Sequence, residues 1–132
     1  MIAHNCQDLS VAGKQAGMNK NSGTRSSLLW EVQRLLEELD ELPRILLLEN
    51  VPQLHNKKNM PHFQEWIDFL SSKGYRNYWQ DLNAKDYGIP QNRNRCFMIS
   101  ILDSDEPYVF PDPIPLTTVM ADYLEDEVDE KY

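Results

Sequence analysis

Arg44-Ile45-Leu46-Leu47-Leu48-Glu49-Asn50-Val51-Pro52-Gln53 is the stretch on which the fold turns. Four consecutive aliphatic residues, bounded by Pro43 and Pro52, are too few for a helix. They predict a strand over 44–49 buried on both faces, as in a parallel sheet. Glu49 follows the apolar run at once, and a carboxylate there needs a reason, because burying an unpartnered charge costs roughly several kcal/mol. In open α/β sheets ligands bind just beyond the carboxyl ends of the strands, where Glu49 would stand. A capping or loop carboxylate is the plain alternative for a single residue of this kind.

On the amino-terminal side, Leu28, Leu29, Val32, Leu35, Leu36 and Leu39 recur at helical spacing. They predict an amphipathic helix of about four turns, with Thr24, Ser26 or Ser27 as cap and Pro43 beyond its end. Before it, residues 1–25 are polar and dotted with Gly13, Gly17 and Gly23, which predicts a long loop containing Cys6. On the carboxyl-terminal side, Asn56–Asn59 reads as a turn and Pro61 opens a second helix. Phe63, Trp66, Ile67 and Leu70 form its buried stripe, and Gly74 stands at the C′ position. Residues 75–82 read as a second strand, 86–90 as a turn, 91–95 as a polar connector and 96–102 as a third strand, again apolar on both faces. The last two strands are close enough to form a hairpin, an antiparallel edge on the sheet.

The 132 residues suffice for one modest domain with a single core, and 41% hydrophobic and 26% charged residues suit a soluble protein. No apolar run reaches the length of a membrane span, and no signal-peptide pattern opens the chain, so a cytoplasmic location is expected. Cys6 and Cys96 are expected to be reduced, with Cys96 a core residue of its strand. The net charge of −8 is concentrated after residue 102, where ten acidic residues face a single Lys131. That segment reads as an acidic, proline-dotted tail or linker. The whole chain is therefore a poor electrostatic grip for nucleic acid, and any such function has to come from a local site or from residues outside this sequence. His4, His55 and His62 have neither helical nor Cys-x-x-Cys partners, so no metal site is expected.

Three short motifs stand in order: Cys-Gln-Asp-Leu-Ser-Val-Ala-Gly-Lys-Gln-x-Gly at 6–17, Glu-Asn-Val at 49–51, and Ala-x-Asp-Tyr-Gly-Ile-Pro-Gln-x-Arg-x-Arg at 84–95. Gln91, Arg93 and Arg95 alternate, so an extended backbone presents them on one side. Together these motifs resemble the DNA cytosine-5 methyltransferase family over about residues 5 to 125. The resemblance implies an α/β fold: part of a Rossmann-like methyltransferase sheet, mixed, with three to four strands, an antiparallel hairpin at its edge and two packed helices. It divides the chain into a mobile nucleophile loop (1–25), a core fragment (26–102) and an acidic tail leading toward a target-recognition region (103–132).

In chemistry, the resemblance implies that Cys6 is the nucleophile that adds to C6 of cytosine and so activates C5. Glu49 matches the acid that hydrogen-bonds and protonates the ring at N3. Arg95 matches the arginine holding the base and thiol region, with Arg93 and Gln91 in support. Gln7, Asn50 and Val51 fall at supporting positions around the base, and Asn5 and Leu28 at positions near the methyl donor, S-adenosyl-L-methionine. The target base must leave the duplex to be reached. Each group also has a bland reading, a surface thiol for Cys6 and a solvated charge pair for the two arginines; the joint occurrence of the motifs is what outweighs these.

The sequence also departs from the family. Asn5 stands where the family has proline, and no Gly-x-Gly donor loop follows a strand. The reading is therefore of a fragment of a restriction-modification type methyltransferase, itself inactive and a weak binder of the donor. The alternative is a non-catalytic remnant or complementing subunit that binds a partner polypeptide. A thiol hydrolase ranks third, since no histidine is suitably placed for Cys6. DNA is the expected partner of the complete enzyme. A complementary methyltransferase half, or a homodimer through the 45–48 strand edge, is the expected partner of this chain, because only Met1–His4 could cover that edge.

Overall fold

A computed structural model of the chain describes residues 2–3 and 28–124. The expected nucleophile loop, with Asn5, Cys6 and Gln7, and the last eight residues lie outside the described residues. The elements are β1 (Ile2–Ala3), α1 (Leu28–Glu38), β2 (Ile45–Asn50), α2 (Met60–Ser72), β3 (Tyr75–Asn83) and β4 (Asn94–Leu102). Single 3-10 turns stand at Pro52–His55, Ala84–Asp86 and Met120–Tyr123.

The four strands form one mixed sheet in the order β1-β2-β4-β3. β2 and β3 both run antiparallel to β4, while β1 pairs parallel with Leu48 and Glu49 of β2. Both helices contribute to the one core. Leu29 and Leu36 of α1 and Phe63, Trp66 and Leu70 of α2 pack with Leu46 and Leu48 of β2 and Cys96 and Met98 of β4. The apolar stripes at 3.6-residue spacing thus meet the every-second-residue stripes of the strands. The pair of strands around residues 84–93 is the hairpin read from the sequence, and it fills one side of the sheet.

Two expectations for the central strand are corrected. The run Ile45–Leu48 is not buried on both faces: Leu46 and Leu48 are buried, whereas Ile45 is 62% exposed and Leu47 is intermediate. The reason is its neighbour, since the whole of β2 pairs with antiparallel β4, and the helices cover only one side. Glu49 does not stand beyond the strand either. The ladder continues to Asn50, opposite Cys96, so Glu49 is the penultimate residue of β2. β4 likewise alternates, burying Cys96, Met98 and Ser100 and leaving Phe97, Ile99 and Ile101 half-buried. The described part of α1 runs from Leu28 to Glu38, bordering residues outside the described ones.

The end of α2 shows how tightly the local turns are set. Lys73 N–H donates to the carbonyl of Leu70 and Gly74 N–H to that of Ser71, and Gly74 takes φ 93°. The Gly74 carbonyl then accepts from Asp103 N–H at 3.2 Å, so this one residue joins the helix end to the end of β4. A Cβ at Gly74 would sit 3.2 Å from Asp103 Oδ1. Gly74→Ala should therefore lower stability by about 1–2 kcal/mol, chiefly from the left-handed backbone. Urea denaturation checks this, and an unchanged midpoint would mean that the turn relaxes at no cost.

Candidate active site

The alternation of β2 and β4 divides the candidate residues between two faces of the sheet. Glu49, opposite Phe97, points away from the helices, as does Arg95 two residues earlier on β4. This diagonal placement across neighbouring strands brings long side chains into contact. Arg95 Nε lies 3.0 Å from Glu49 Oε1 as an ion pair, and Arg93 Nη2 lies 3.8 Å from the same oxygen. Glu49 and Arg95 are 28% and 21% exposed at the side chain and Arg93 50%, so the pair is half-shielded and Arg93 closes it from the solvent side.

The connection between β3 and β4 is held by Asn83, a residue the sequence reading passed over. Asn83 Oδ1 accepts from Arg93 N–H at 3.0 Å and from Lys85 N–H at 3.3 Å, while its Nδ2 donates to Asn92 Oδ1 at 2.7 Å. Ala84 N–H donates to the Arg93 carbonyl at 3.0 Å, which closes the base of the loop. An Asn at the mouth of a turn is a familiar signal, because its side chain mimics a backbone turn. Gly88 at φ 80° makes the tight bend, and Gln91 sits exposed beyond it, with its N–H on the Ile89 carbonyl at 2.7 Å.

The following segment folds back over this connection. Tyr87 pairs with Ile114, Ile114 N–H donates to the Asp86 carbonyl at 2.8 Å, and Tyr87 Oη donates to the Pro111 carbonyl at 3.0 Å. The result is a cavity of about 310 Å³. Leu82, Ala84, Tyr87, Phe97 and Pro111 give it apolar walls, and Glu49, Arg93 and Arg95 line its polar side. A carboxylate and two guanidiniums beside apolar and aromatic walls suit a flat, polar ring: the walls take its faces and the charged groups its edge.

Asn50 and Val51 turn away from this cavity. Both are buried, and Asn50 Oδ1 accepts from Val51 N–H at 2.8 Å, which sets the chain's exit from β2. On the helix-covered face, directly behind Glu49 and Arg95, the rung Asn50–Cys96–Asp81 crosses three strands. His55, from the 3-10 turn after β2, places Nε2 at 3.0 and 3.1 Å from the two Asp81 oxygens. The Cys96 thiol also meets Asp81. No metal-ligand set is visible in the spacing of the histidines, yet the fold assembles a His/Asp/Cys cluster among the described residues. Twenty-six residues separate His55 from Asp81, and no sequence pattern announces the pairing.

Compared with known proteins, residues 4–132 match the family described as C-5 cytosine-specific DNA methylase. The chain is 50% identical over 127 residues to the type II methyltransferase M2.ScrFI of Lactococcus lactis subsp. cremoris, covering 96% of this chain and 35% of that protein. It is 51% identical over 100 residues to the orphan methyltransferase M.SssI of Spiroplasma monobiae, covering 74% and 26%. The chain thus spans about a third of the length of these curated relatives. Among solved structures, the Entamoeba histolytica methyltransferase EhMeth superposes with a TM-score of 0.70 at 20% identity, over 99% of this chain and 40% of that one. The S. pombe Dnmt2 methyltransferase gives 0.66 at 22% identity, over 81% and 36%.

Burial, and secondarily Asp81, pushes the Cys96 thiol up to about 12 from its ordinary value near 9. The folded pKa is the raised one, so this group's contribution to stability is complete below pH 9 and is lost as pH rises toward 12. Between those limits only the unfolded chain ionises at this position. Stability should therefore fall by about 1.4 kcal/mol per pH unit more steeply in the native chain than in Cys96→Val. Denaturation series from pH 8 to 11 measure the difference, and parallel curves would contradict the buried thiol.

Proposed function

The chain belongs to the C-5 cytosine-specific DNA methylase family, and from that membership we propose that it carries the base-handling part of a DNA (cytosine-5-)-methyltransferase. The observation that carries this reading is the Glu49 carboxylate, held at 3.0 Å by Arg95 beside a 310 Å³ cavity of apolar walls. A flipped cytosine would enter with its N3 edge toward Glu49 and its faces against the walls. Arg95 fixes the carboxylate's rotamer, and Arg93 shields it from solvent, so the acid is oriented before the base arrives. Glu49 hydrogen-bonds and protonates N3, which draws electron density from C6. The Cys6 thiolate adds at C6, forming the C–S bond and leaving C5 nucleophilic. After methylation, loss of the C5 proton and expulsion of the thiolate restore the aromatic ring.

S-adenosyl-L-methionine supplies the methyl group in the whole enzyme. Its sulfonium cation does not fit the cavity beside Glu49, where two guanidinium groups already stand; of the positions expected near it, Leu28 opens α1 and Asn5 lies outside the described residues. In this reading residues 1–25 carry the nucleophile, 26–102 hold the base-binding groups, and 103–132 lead toward the region that reads the DNA sequence. Asn83 and Gln91 act on the base only through the loop that carries Arg93. The working location is the cytoplasm, beside the DNA of a restriction-modification system.

A second reading concerns association. Ile45 is 62% exposed, and among the described residues β1 pairs with β2 at Leu48 and Glu49, which favours pairing of the rest of this edge with a complementary methyltransferase half or a second copy. Light scattering at high micromolar concentration should give a dimer mass for the chain alone, and a monomer mass would remove the homodimer.

The catalytic test supplies the remainder of the Lactococcus relative alongside this chain and measures transfer of labelled methyl to duplex DNA. Methylation should appear only with both parts present, and a duplex carrying 5-fluorocytosine should be trapped on Cys6, as mapped by mass spectrometry. Cys6→Ser should abolish trapping, and Glu49→Gln should slow transfer by roughly 10²–10⁴-fold. Full activity in either variant, or an adduct at another residue, would refute the assignment.

A further inference from the structure

Behind the candidate active site, three chemically different ligand atoms converge on the helix-covered face of the sheet. His55 Nε2, an Asp81 carboxylate oxygen and Cys96 Sγ all lie within 4.8 Å of one another. They come from three separate pieces of backbone: the turn after β2, strand β3 and strand β4. Asp81 and Cys96 are paired across the ladder, so their spacing is set by the sheet rather than by side-chain flexibility. The His55 ring lies against Trp79 with centroids 5.0 Å apart, which leaves its Nε2 aimed at Asp81. His55 and Asp81 are 25% and 31% exposed, whereas Cys96 is fully buried, so the cluster has a closed floor and an open mouth.

We propose that His55, Asp81 and Cys96 form a three-ligand site for a borderline divalent transition metal, with Zn²⁺ as the natural occupant. The donor set decides the class of ion. An imidazole, a carboxylate and a thiolate suit Zn²⁺, Co²⁺ or Ni²⁺, and a sulfur ligand excludes Mg²⁺ and Ca²⁺, which take oxygen. Tetrahedral zinc with bonds of about 2.0–2.3 Å sets its ligands roughly 3.3–3.8 Å apart. The cluster needs a contraction of roughly an ångström, which rotation of the partly exposed His55 and Asp81 side chains supplies. Three protein ligands leave the fourth position to water at the open mouth.

Binding is written as Cys–SH plus M²⁺ giving Cys–S⁻–M²⁺ plus H⁺. The proton leaves to solvent, and neutral imidazole and the ionised carboxylate complete the set. Carboxylate and thiolate then neutralise the ion, which offsets the burial, and secondarily the Asp81 charge, that keep the thiol protonated in its absence. The bound ion would tie the exit of β2 to β3 and β4 one residue behind Glu49 and Arg95, stiffening the candidate active site from the opposite face.

Co²⁺ is the probe, titrated into the reduced full-length chain under exclusion of oxygen. One equivalent should produce a thiolate-to-cobalt charge-transfer band in the near ultraviolet with the intense visible bands of a four-coordinate ion. Zn²⁺ should displace it and millimolar Mg²⁺ should not. The band should survive Cys6→Ser and vanish in Cys96→Ser. His55→Ala and Asp81→Asn should each weaken Co²⁺ binding by more than the roughly 10–100-fold that loss of an outer-shell partner costs. Apparent affinity should rise tenfold per pH unit over pH 6–8, following the released proton. The absence of a thiolate band at saturating Co²⁺ overturns the proposal, as does a band that depends on Cys6 or ignores both His55 and Asp81.

Discussion

The candidate site among the described residues depends on one register, the antiparallel ladder of β4 between β2 and β3. It sets Glu49 opposite Phe97 and Asn50 opposite Cys96, and the same rung continues to Asp81. Because successive side chains alternate, a slip of one residue would move Glu49 and Arg95 under the helices and expose the Cys96 rung. Burial guards against that slip. Cys96, Met98 and Ser100 are essentially fully buried beneath α1 and α2, and their counterparts Phe97 and Ile99 could not be exchanged for them without repacking Trp66 and Phe63.

The two helices were legible because a 3.6-residue stripe long enough to count leaves little else to conclude. Phe63, Trp66 and Leu70 are buried as their spacing implies, and Gly74 ends α2 at its positive φ. The strands were legible as strands, but their neighbours were not. Four aliphatic residues look alike beside a parallel or an antiparallel partner, and only the long-range pairing with β4 leaves Ile45 and Leu47 less buried than Leu46 and Leu48. At the site, the alternation of Gln91, Arg93 and Arg95 pointed to one side for all three; Arg93 and Arg95 both lie near Glu49 Oε1, whereas Gln91 sits exposed in the turn before β4. Asn83 carried only the general turn signal of an asparagine, and its bonds to the Lys85 and Arg93 N–H groups form only once the hairpin closes. The His55–Asp81–Cys96 cluster was missed for a deeper reason: its members meet only after three strands and a turn have assembled.

The charge distribution finds a similar resolution. A chain of net charge −8 is an unpromising ligand for a polyanion, yet its cationic groups beside the cavity are Arg93 and Arg95, both engaged with Glu49. Net charge describes the long-range field, whereas a buried or half-buried cluster acts at contact distance, where local pairing decides. The acidic residues after 102 belong to a segment that, as far as Leu124, is mostly irregular and exposed. The described ones, Asp103, Asp105, Glu106, Asp112 and Asp122, do not line the cavity.

That segment nevertheless has a mechanical bearing on the cavity. Pro111 is one of its walls, Tyr87 another, and the two are joined by the Tyr87 hydroxyl, while Ile114 is stitched to Asp86 three residues later. The wall therefore lies in series with the strand of backbone that leads onward. The Tyr87 hydroxyl and Asp86 carbonyl hold residues 111–114 in place, so the chamber in front of Glu49 is closed by two segments 24 residues apart in sequence. That wall is a product of tertiary folding, and nothing local to the Glu49 strand supplies it.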